Sequence, residues 1–209
     1  MDYLISQGYP HAAQKFATEA NMRLTSDVNS ITQRVEIRDA IHSGDIQTAI
    51  ERINEMNPQL LDQDMSLHFD LLNLQLIRKI QDCGTGDPEP AIVFARERLA
   101  PIAPTKQEYL RKLERTMTLL FFVGTQLTSP LLELTQPGIR REVAKNVNEA
   151  LLKGNGERAK ATLHDLVGHR AWAYKQAQKD RKESLPDQLD IGLEAAKDGG
   201  NAGSQNGST

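Results

Sequence analysis

The sequence is poor in the residues that build disulfides, metal sites and membrane spans. Only one of its 209 residues is a cysteine, Cys83, so neither an internal disulfide nor a zinc site with several thiolates can form. The longest uninterrupted apolar run, Leu119 to Val123, is far shorter than the roughly 20 residues that cross a bilayer. No apolar segment typical of a secretory signal follows Met1. We therefore expect no membrane partner and a cytoplasmic and nuclear location.

An excess of charge of one sign is also missing, since the formal net charge at pH 7 is −3. Residues 183–209 hold five acidic side chains and one basic one, which leaves a net charge of +1 on the rest of the chain. Such a nearly neutral body lacks the broad positive field that attracts phosphate backbones, so we expect no nucleic acid as a partner. The segment 183–209 is rich in Gly, Asn and Ser and has no aromatic residue. It is predicted to be a disordered acidic tail.

Helical periodicity dominates the remaining sequence, and strand patterns are nearly absent. Apolar residues recur at intervals of three and four, and Gly, Pro, Asp and Ser stand where such segments begin and end. The predicted helices are 2–7, 10–20, 30–43, 46–57, 65–80, 90–99, 106–120, a short one that starts at Ser129 and Pro130, 139–153 and 159–179. The predicted fold class is all-α: a multi-helix bundle of antiparallel helical hairpins with a disordered acidic C-terminal tail.

Two pairs of residues have the spacing of a capping box, in which a Ser or Thr caps a helix and a Glu or Gln three residues later caps back. They are Ser30 with Gln33 and Thr105 with Glu108. Asp45 is predicted to cap the helix that follows Gly44. Because so few residues join the helices on either side of Gly44, these helices must form an antiparallel hairpin. The apolar stripe of the helix 106–120 consists of Leu110, Leu113, Met117 and Leu120.

The segment 65–80 is predicted to be the central helix of the core. Its first residues alternate as in a strand, but sixteen residues without a turn signal exceed a typical strand. Two apolar stripes run along it, so it is covered on more than one side. We expect its residues Leu71, Leu74, Leu76 and Ile77 to hold the fold.

The sequence shows no pattern of catalytic, cofactor-binding or metal-binding residues, and we predict none. The five histidines are His11, His42, His68, His164 and His169. None has the spacing that lets two of them share a metal on one helix face. The glycine pairs at Gly84 and Gly86 and at Gly154 and Gly156 lack the continuation of a phosphate-binding loop.

Two alternatives stay open at this point. An enzyme whose site assembles only in three dimensions would bring several members of one polar set into a deep pocket, namely Asp39, His42, Arg96, Glu114 and His169. A basic cluster is either a charged helix end or a small patch for nuclear targeting or an acidic partner, and it consists of Lys175, Lys179, Arg181 and Lys182.

Three blocks of residues resemble, in order, the motifs of one family. The block that resembles the second half of a LisH motif consists of Tyr3-Leu4, Gly8-Tyr9, Ala12-Ala13 and Phe16. The block that resembles a CTLH motif consists of Arg34, Ile37, Ala40-Ile41, Gly44-Asp45-Ile46, Ala49-Ile50, Ile53-Asn54, Pro58, Leu60-Leu61-Asp62, Phe69, Leu71, Gln75 and Leu76-Ile77. The block that resembles a CRA region consists of Ala91, Phe94-Ala95-Arg96, Leu99-Ala100-Pro101, Leu113-Glu114, Met117, Leu119-Leu120, Ser129-Pro130, Arg141, Val143-Ala144 and Val147-Asn148. The chain is thus similar to the LisH-CTLH-CRA family over about residues 2–174.

This resemblance implies a division of the chain into a partial LisH motif at 1–24, CTLH helices at 27–84, CRA helices at 88–178 and the tail at 183–209. It also implies a non-catalytic scaffold subunit of a multisubunit RING-type ubiquitin ligase. Its partners would be RING-bearing LisH-CTLH subunits and a SPRY-bearing relative, and substrates such as gluconeogenic enzymes would be sent to the proteasome. This sequence has neither the length for a SPRY domain nor the cysteines for a RING-like one.

Two positions depart from the family pattern. The chain begins at Met1-Asp2-Tyr3, so we expect the apolar first LisH helix to be missing and self-association through this motif to be weakened. Arg78 stands where the family usually has an acid, which we expect to affect an edge contact and not the core.

The N-terminal segment is the predicted interaction site. A half hairpin of this size cannot bury its own apolar residues, and such residues mark interfaces when they stay exposed. We expect four residues to form a protein interface, namely Leu4, Tyr9, Ala13 and Phe16. The alternative is that they simply pack onto the CTLH helices.

Overall fold

The computed structural model describes residues 1–24, 26–84, 86–122 and 131–179, and within these residues it is helical without a strand. The predicted all-α class is therefore confirmed. The chain divides into two units, residues 1–164 and residues 165–209. The predicted tail at 183–209 and the helix start at Ser129 and Pro130 lie outside the described residues. No helix in the described part of the chain is both long enough and apolar enough to cross a membrane.

The described residues form eleven α-helices and three short segments of other helical type. The α-helices are α1 (Asp2–Gln7), α2 (Pro10–Glu19), α3 (Val28–Ser43), α4 (Ile46–Met56), α5 (Leu60–Gln63), α6 (Met65–Cys83), α7 (Glu89–Phe94), α8 (Gln107–Thr118), α9 (Leu131–Thr135), α10 (Pro137–Gly154) and α11 (Thr162–Lys179). The other segments are a π-helix at Ala95–Leu99 and 3₁₀ helices at Ala103–Thr105 and Leu119–Phe122. The second unit begins at Asp165 inside α11, and its described part is helical to Lys179.

The main core of the first unit is built around α6, as predicted. Nine residues of α6 are buried, and α3, α4, α7, α8 and α10 pack against this helix or its neighbours. The four residues expected to hold the fold are all buried, namely Leu71, Leu74, Leu76 and Ile77. Phe69 stacks on Tyr109 of α8 with 4.6 Å between ring centroids. Buried aromatic pairs of this kind add about 0.5–1.5 kcal/mol beyond the area that they bury.

Several predicted helix ends are confirmed by their local geometry. Gly8 and Gly44 end α1 and α3 in the left-handed conformation, which glycine adopts without strain. The Asp45 side chain accepts a hydrogen bond from the Thr48 N–H and caps α4. Asp64 caps α6 in the same way through the Leu67 N–H.

Both predicted capping boxes are wrong. Helix α3 begins before Ser30, because the Asp27 carboxylate accepts from the Asn29 N–H and caps the helix there. Helix α8 begins at Gln107 without a side-chain cap, since the Thr105 hydroxyl donates instead to the Ile102 carbonyl within a 3₁₀ turn. Ser30 thus lies inside α3 and Thr105 belongs to the preceding 3₁₀ turn, so neither residue is the N-cap that the motif requires.

The buried side of α8 also differs from its apolar stripe. Tyr109 is the large, fully buried residue of this helix, whereas Leu110 is exposed. The other three members of the stripe pack partly against the core, namely Leu113, Met117 and Leu120. The stacking of Tyr109 on Phe69 sets the rotation of α8, and sequence spacing does not reveal that contact.

Candidate interaction surface

The N-terminal helices α1 and α2 form a hairpin whose turn is fixed by Gly8. This residue has φ +76°, and its N–H donates to the Ile5 carbonyl while the Tyr9 N–H donates to the Leu4 carbonyl. A Cβ atom at Gly8 would lie only 2.9 Å from Cγ2 of Val35 on α3. The turn therefore needs glycine both for its conformation and for the close approach to α3.

The inner face of the hairpin packs on α3 through a small cluster of its own. Ile5, Ala13 and Ile31 are buried together, and Leu4 packs partly against them. This cluster, which we call the hairpin cluster, is separate from the core around α6. The only buried residues of α2 are Ala13 and Ala17, whose small side chains let the helix lie close to the surface below it.

The outer face of the hairpin carries an exposed apolar stripe. Tyr9 and Phe16 are 51% and 42% exposed, and Ala12 and Ala20 are also exposed. Steps of three, four and four place these residues on one side of α2. We call Tyr9, Ala12, Phe16 and Ala20 the outer stripe.

The four predicted interface residues thus divide between the two faces. Tyr9 and Phe16 lie on the outer stripe, whereas Ala13 is fully buried and Leu4 is half-buried in the hairpin cluster. The alternative that these residues pack onto the CTLH helices describes Ala13 and Leu4. That Tyr9 and Phe16 contact a partner stays a prediction.

A buried arginine, which sequence reasoning missed, connects the hairpin to two later segments. The Arg34 side chain is almost fully buried and donates to the Ile5 carbonyl at 3.0 Å and to Oδ1 of Asn148 at 2.8 Å. The Asn148 amide in turn donates to the Ser6 carbonyl at 3.0 Å. Helices α1, α3 and α10 are thereby joined through one set of hydrogen bonds.

Glu157 completes this polar set from the loop after α10. Its carboxylate lies 4.0 Å from the Arg34 guanidinium and accepts a short hydrogen bond from Ser26. Burial lowers the pKa of Arg34, and the charge of Glu157 opposes that shift. The only signal for Arg34 in the sequence is its place in the block that resembles a CTLH motif.

The beginning of α11 is also attached to the N-terminal helix. The Asp2 carboxylate accepts from the N–H of Thr162 at 2.8 Å and from its hydroxyl at 3.0 Å. The Tyr3 and His164 rings lie 5.6 Å apart. Residues at the two ends of the first unit, about 160 positions apart in sequence, therefore hold the hairpin from a second side.

Four members of the polar set proposed for an enzyme lie in the first unit, namely Asp39, His42, Arg96 and Glu114. Of these four, His42 lines the cavity between α1, α3 and α10, whereas the Asp39 carboxylate pairs with Arg38 at the surface. No group of three or more His, Cys, Asp or Glu side chains that could hold a metal occurs in the part of the chain that the structure describes. His68 is half-buried in α6, and burial followed by the charge of Arg98 lowers its pKa, while Asp62 opposes the shift.

These features define an all-helical protein with a two-helix hairpin set on a larger bundle and an apolar stripe exposed on that hairpin. A family model described as the CTLH/CRA C-terminal to LisH motif domain matches residues 30–178, and a LisH model matches residues 1–20. The chain therefore belongs to the LisH-CTLH/CRA family, and the resemblance read from its sequence is confirmed.

Curated relatives match most of the chain. It is 35% identical over 186 residues to "Protein GID8 homolog" of Arabidopsis thaliana, a match that covers 89% of this chain and 74% of the relative. It is 36% identical over 189 residues to "GID complex subunit 8" of Schizosaccharomyces pombe, covering 88% and 79%. The "Glucose-induced degradation protein 8 homolog" of Dictyostelium discoideum is 36% identical over 186 residues, covering 89% and 79%.

Proposed function

We propose that the chain is a non-catalytic scaffold subunit of a GID complex, a multisubunit RING-type ubiquitin ligase. Its similarity to a relative named as a GID complex subunit supports membership of such a complex. The resemblance to scaffold members of the family supports the finer roles. These are binding of RING-bearing LisH-CTLH subunits and a SPRY-bearing relative, delivery of substrates such as gluconeogenic enzymes to the proteasome, and action in the cytoplasm and nucleus.

The outer stripe is the observation that carries this proposal. It is apolar, it lies on a hairpin whose turn and inner face are fixed, and it leaves two aromatic rings in solvent. Aromatic residues are enriched among those that dominate binding energies at protein interfaces. Burying a large side chain such as Phe16 contributes roughly 1.5–3 kcal/mol. Because the hairpin is already folded against α3, binding a partner costs it little further conformational entropy.

The test uses the tagged full chain expressed in its own cells and purified at moderate salt. Mass spectrometry is expected to find a RING-bearing and a SPRY-bearing LisH-CTLH protein with the wild-type chain. Phe16→Ala should lower the mass of the complex in gel filtration and reduce recovery of these partners by about tenfold, as expected for loss of a central aromatic contact. The helical circular dichroism of the purified variant should equal that of the wild type.

Leu110→Ala is the matched control, since Leu110 is exposed to about the same extent as Phe16, 41% against 42%, but lies on α8. It should leave partner recovery unchanged. A chain that purifies alone would argue against the complex itself. An equal loss of partner recovery with Phe16→Ala and Leu110→Ala would argue against the outer stripe as the contact. Loss of helicity in Phe16→Ala would do so too.

A further inference from the structure

A cavity of about 180 Å³ lies where the end of α1 meets α3 and α10, and four of its eleven lining residues are Arg or Lys. Arg34, Arg38 and His42 line it from α3. Arg141 and Lys145 line it from α10. None of the lining residues that the structure describes is acidic. Four permanent positive charges therefore surround one small volume.

The Glu157 carboxylate, 4.0 Å away, opposes the charge of Arg34, and the other three charges are only weakly balanced by their neighbours. Arg38 pairs with the exposed Asp39 at 3.2 Å, and the Lys145 ammonium is 3.9 Å from Glu149. Exposed pairs of this kind contribute at most about 1 kcal/mol. Arg141 has no hydrogen-bond or ion-pair partner among the described residues. Because like charges on facing helices repel each other, an anion between them would be favoured.

Arg34 forms the buried wall of the cavity, and its donors are not all used. Its two terminal nitrogens donate to Asn148 and to the Ile5 carbonyl, but its buried Nε–H has no acceptor in the described chain. Buried polar groups in folded proteins nearly always have a partner. Arg34 therefore contributes an unused buried N–H donor to the wall of the cavity, while the Glu157 carboxylate offsets its charge.

The size of the cavity limits what it can hold. A volume of about 180 Å³ is below the roughly 300 Å³ at which pockets for larger ligands usually begin. It suits a small ligand such as one tetrahedral oxyanion with a short stem. The Arg38 guanidinium already donates from Nε to Asp39 and from Nη1 to the Gln7 carbonyl at 3.3 Å, whereas Arg141, on the facing helix, keeps its planar set of donors for phosphate oxygens.

We propose that the cavity between α1, α3 and α10 binds a phosphate monoester, with Arg38, Arg141 and Lys145 as the accessible contacts and Arg34 as a buried donor in its wall. The phosphate group is the recognised chemistry, whether a free phosphorylated metabolite or a phosphorylated side chain of another protein supplies it. The site is independent of the outer stripe and of the complex proposed above.

The test follows backbone amide and arginine Nε–H resonances of the isotope-labelled full chain while inorganic phosphate is added at constant pH. An equal ionic strength of sodium chloride is the reference, because salt alone screens surface charge. The expected result is saturable shifts confined to residues 6–8, 34–42 and 141–148. Arg141→Gln and, separately, Lys145→Gln should each weaken binding by about tenfold, since a charged hydrogen bond is lost.

Arg111→Gln is the matched control, because Arg111 is exposed on α8 and does not line this cavity. It should bind phosphate as the wild type does. A phosphoserine peptide that binds more tightly than both inorganic phosphate and its unphosphorylated form would identify a protein as the source. Equal affinity for the peptide and inorganic phosphate would identify a free phosphate compound. Shifts that chloride reproduces, or equal weakening by Arg111→Gln, would overturn the proposal.

Discussion

The guanidinium of Arg34 connects three parts of the chain that are distant in sequence. It binds the Ile5 carbonyl of α1 and Asn148 of α10, and it faces the carboxylate of Glu157. Removing one member of such a buried set leaves the others without partners, which costs more than an exposed ion pair contributes. The contribution of Arg34 to the free energy of unfolding therefore depends on its burial more than on its charge.

Replacement of Arg34 by methionine, which has a similar length but no donors, should destabilise the protein. We expect the free energy of unfolding from urea titration to fall by about 2–4 kcal/mol. Arg52→Met is the control, since Arg52 pairs with Glu36 at 2.6 Å on the exposed surface, and it should cost less than about 1 kcal/mol. Similar losses in the two variants would contradict the connecting role of Arg34.

His68 should make stability depend on pH between neutral and mildly acidic conditions. Burial and Arg98 lower its pKa in the folded protein below the ordinary value of about 6.5. The unfolded chain therefore binds the proton more readily, so stability is lost as pH falls through 6.5 towards the folded pKa. Urea titrations of wild type and His68→Gln from pH 7.5 to 5 should show the wild type losing stability relative to the variant. A difference that is constant with pH would contradict this expectation.

At the scale of elements, the hairpin of α1 and α2 presents two different faces. Its inner face uses the small residues Ala13 and Ala17, and its outer face carries Tyr9 and Phe16. Small residues facing inward let α2 approach α3 closely, so the larger residues are left outside. The sequence predicted both helices and the turn between them. It did not show whether the side with Ala13 or the side with Phe16 faces inward, and the packing of Ala13 with Ile31 reveals this.

Gly8→Ala tests the attachment of this hairpin. The substitution combines a left-handed backbone at φ +76° with a Cβ atom 2.9 Å from Val35, so we expect a loss of about 1–2 kcal/mol in the free energy of unfolding. Gly138→Ala in α10 is the matched control, because a Cβ there meets nothing within 4 Å. That variant should be neutral or more stable by up to about 1 kcal/mol, since alanine is the better helix former. Thermal or urea unfolding of both variants measures the difference.

At the scale of the whole molecule, the first unit contains two apolar clusters of unequal size. The larger surrounds α6 and includes residues from α3 to α10, and the hairpin cluster has three buried members. A region with more buried apolar contacts needs more free energy to open. We therefore expect the core around α6 and the hairpin cluster to open at different free energies. The polar set at Arg34 and the Asp2 contact to Thr162 are the main links that oppose opening of the hairpin.

Native-state hydrogen exchange should reveal this difference directly. Amides of α6 are expected to exchange only through global unfolding, at the free energy measured in urea. Amides of α2 should exchange at a clearly lower free energy, because only Ala13 and Ala17 of that helix are buried. Exchange of both helices at the same free energy would show that the hairpin cluster and the main core unfold as one unit.

The helical class, the helix ends at Gly8 and Gly44, the Asp45 cap and the central place of α6 could all be predicted from the sequence alone. These features follow from backbone conformation, capping chemistry and apolar periodicity. All three depend on residues that are close together in the sequence. The resemblance of ordered residue blocks also led to the correct family.

Which helix faces are buried and which polar groups meet depends on how the helices pack, and the sequence does not reveal it. The rotation of α8 depends on the stacking of Tyr109 on Phe69, which lie 40 positions apart in the sequence. The partners of Arg34 come from α1 and α10 and lie 29 and 114 positions away in sequence. Such contacts depend on how helices dock, because the favourable energy comes from pairs that the chain brings together only after folding.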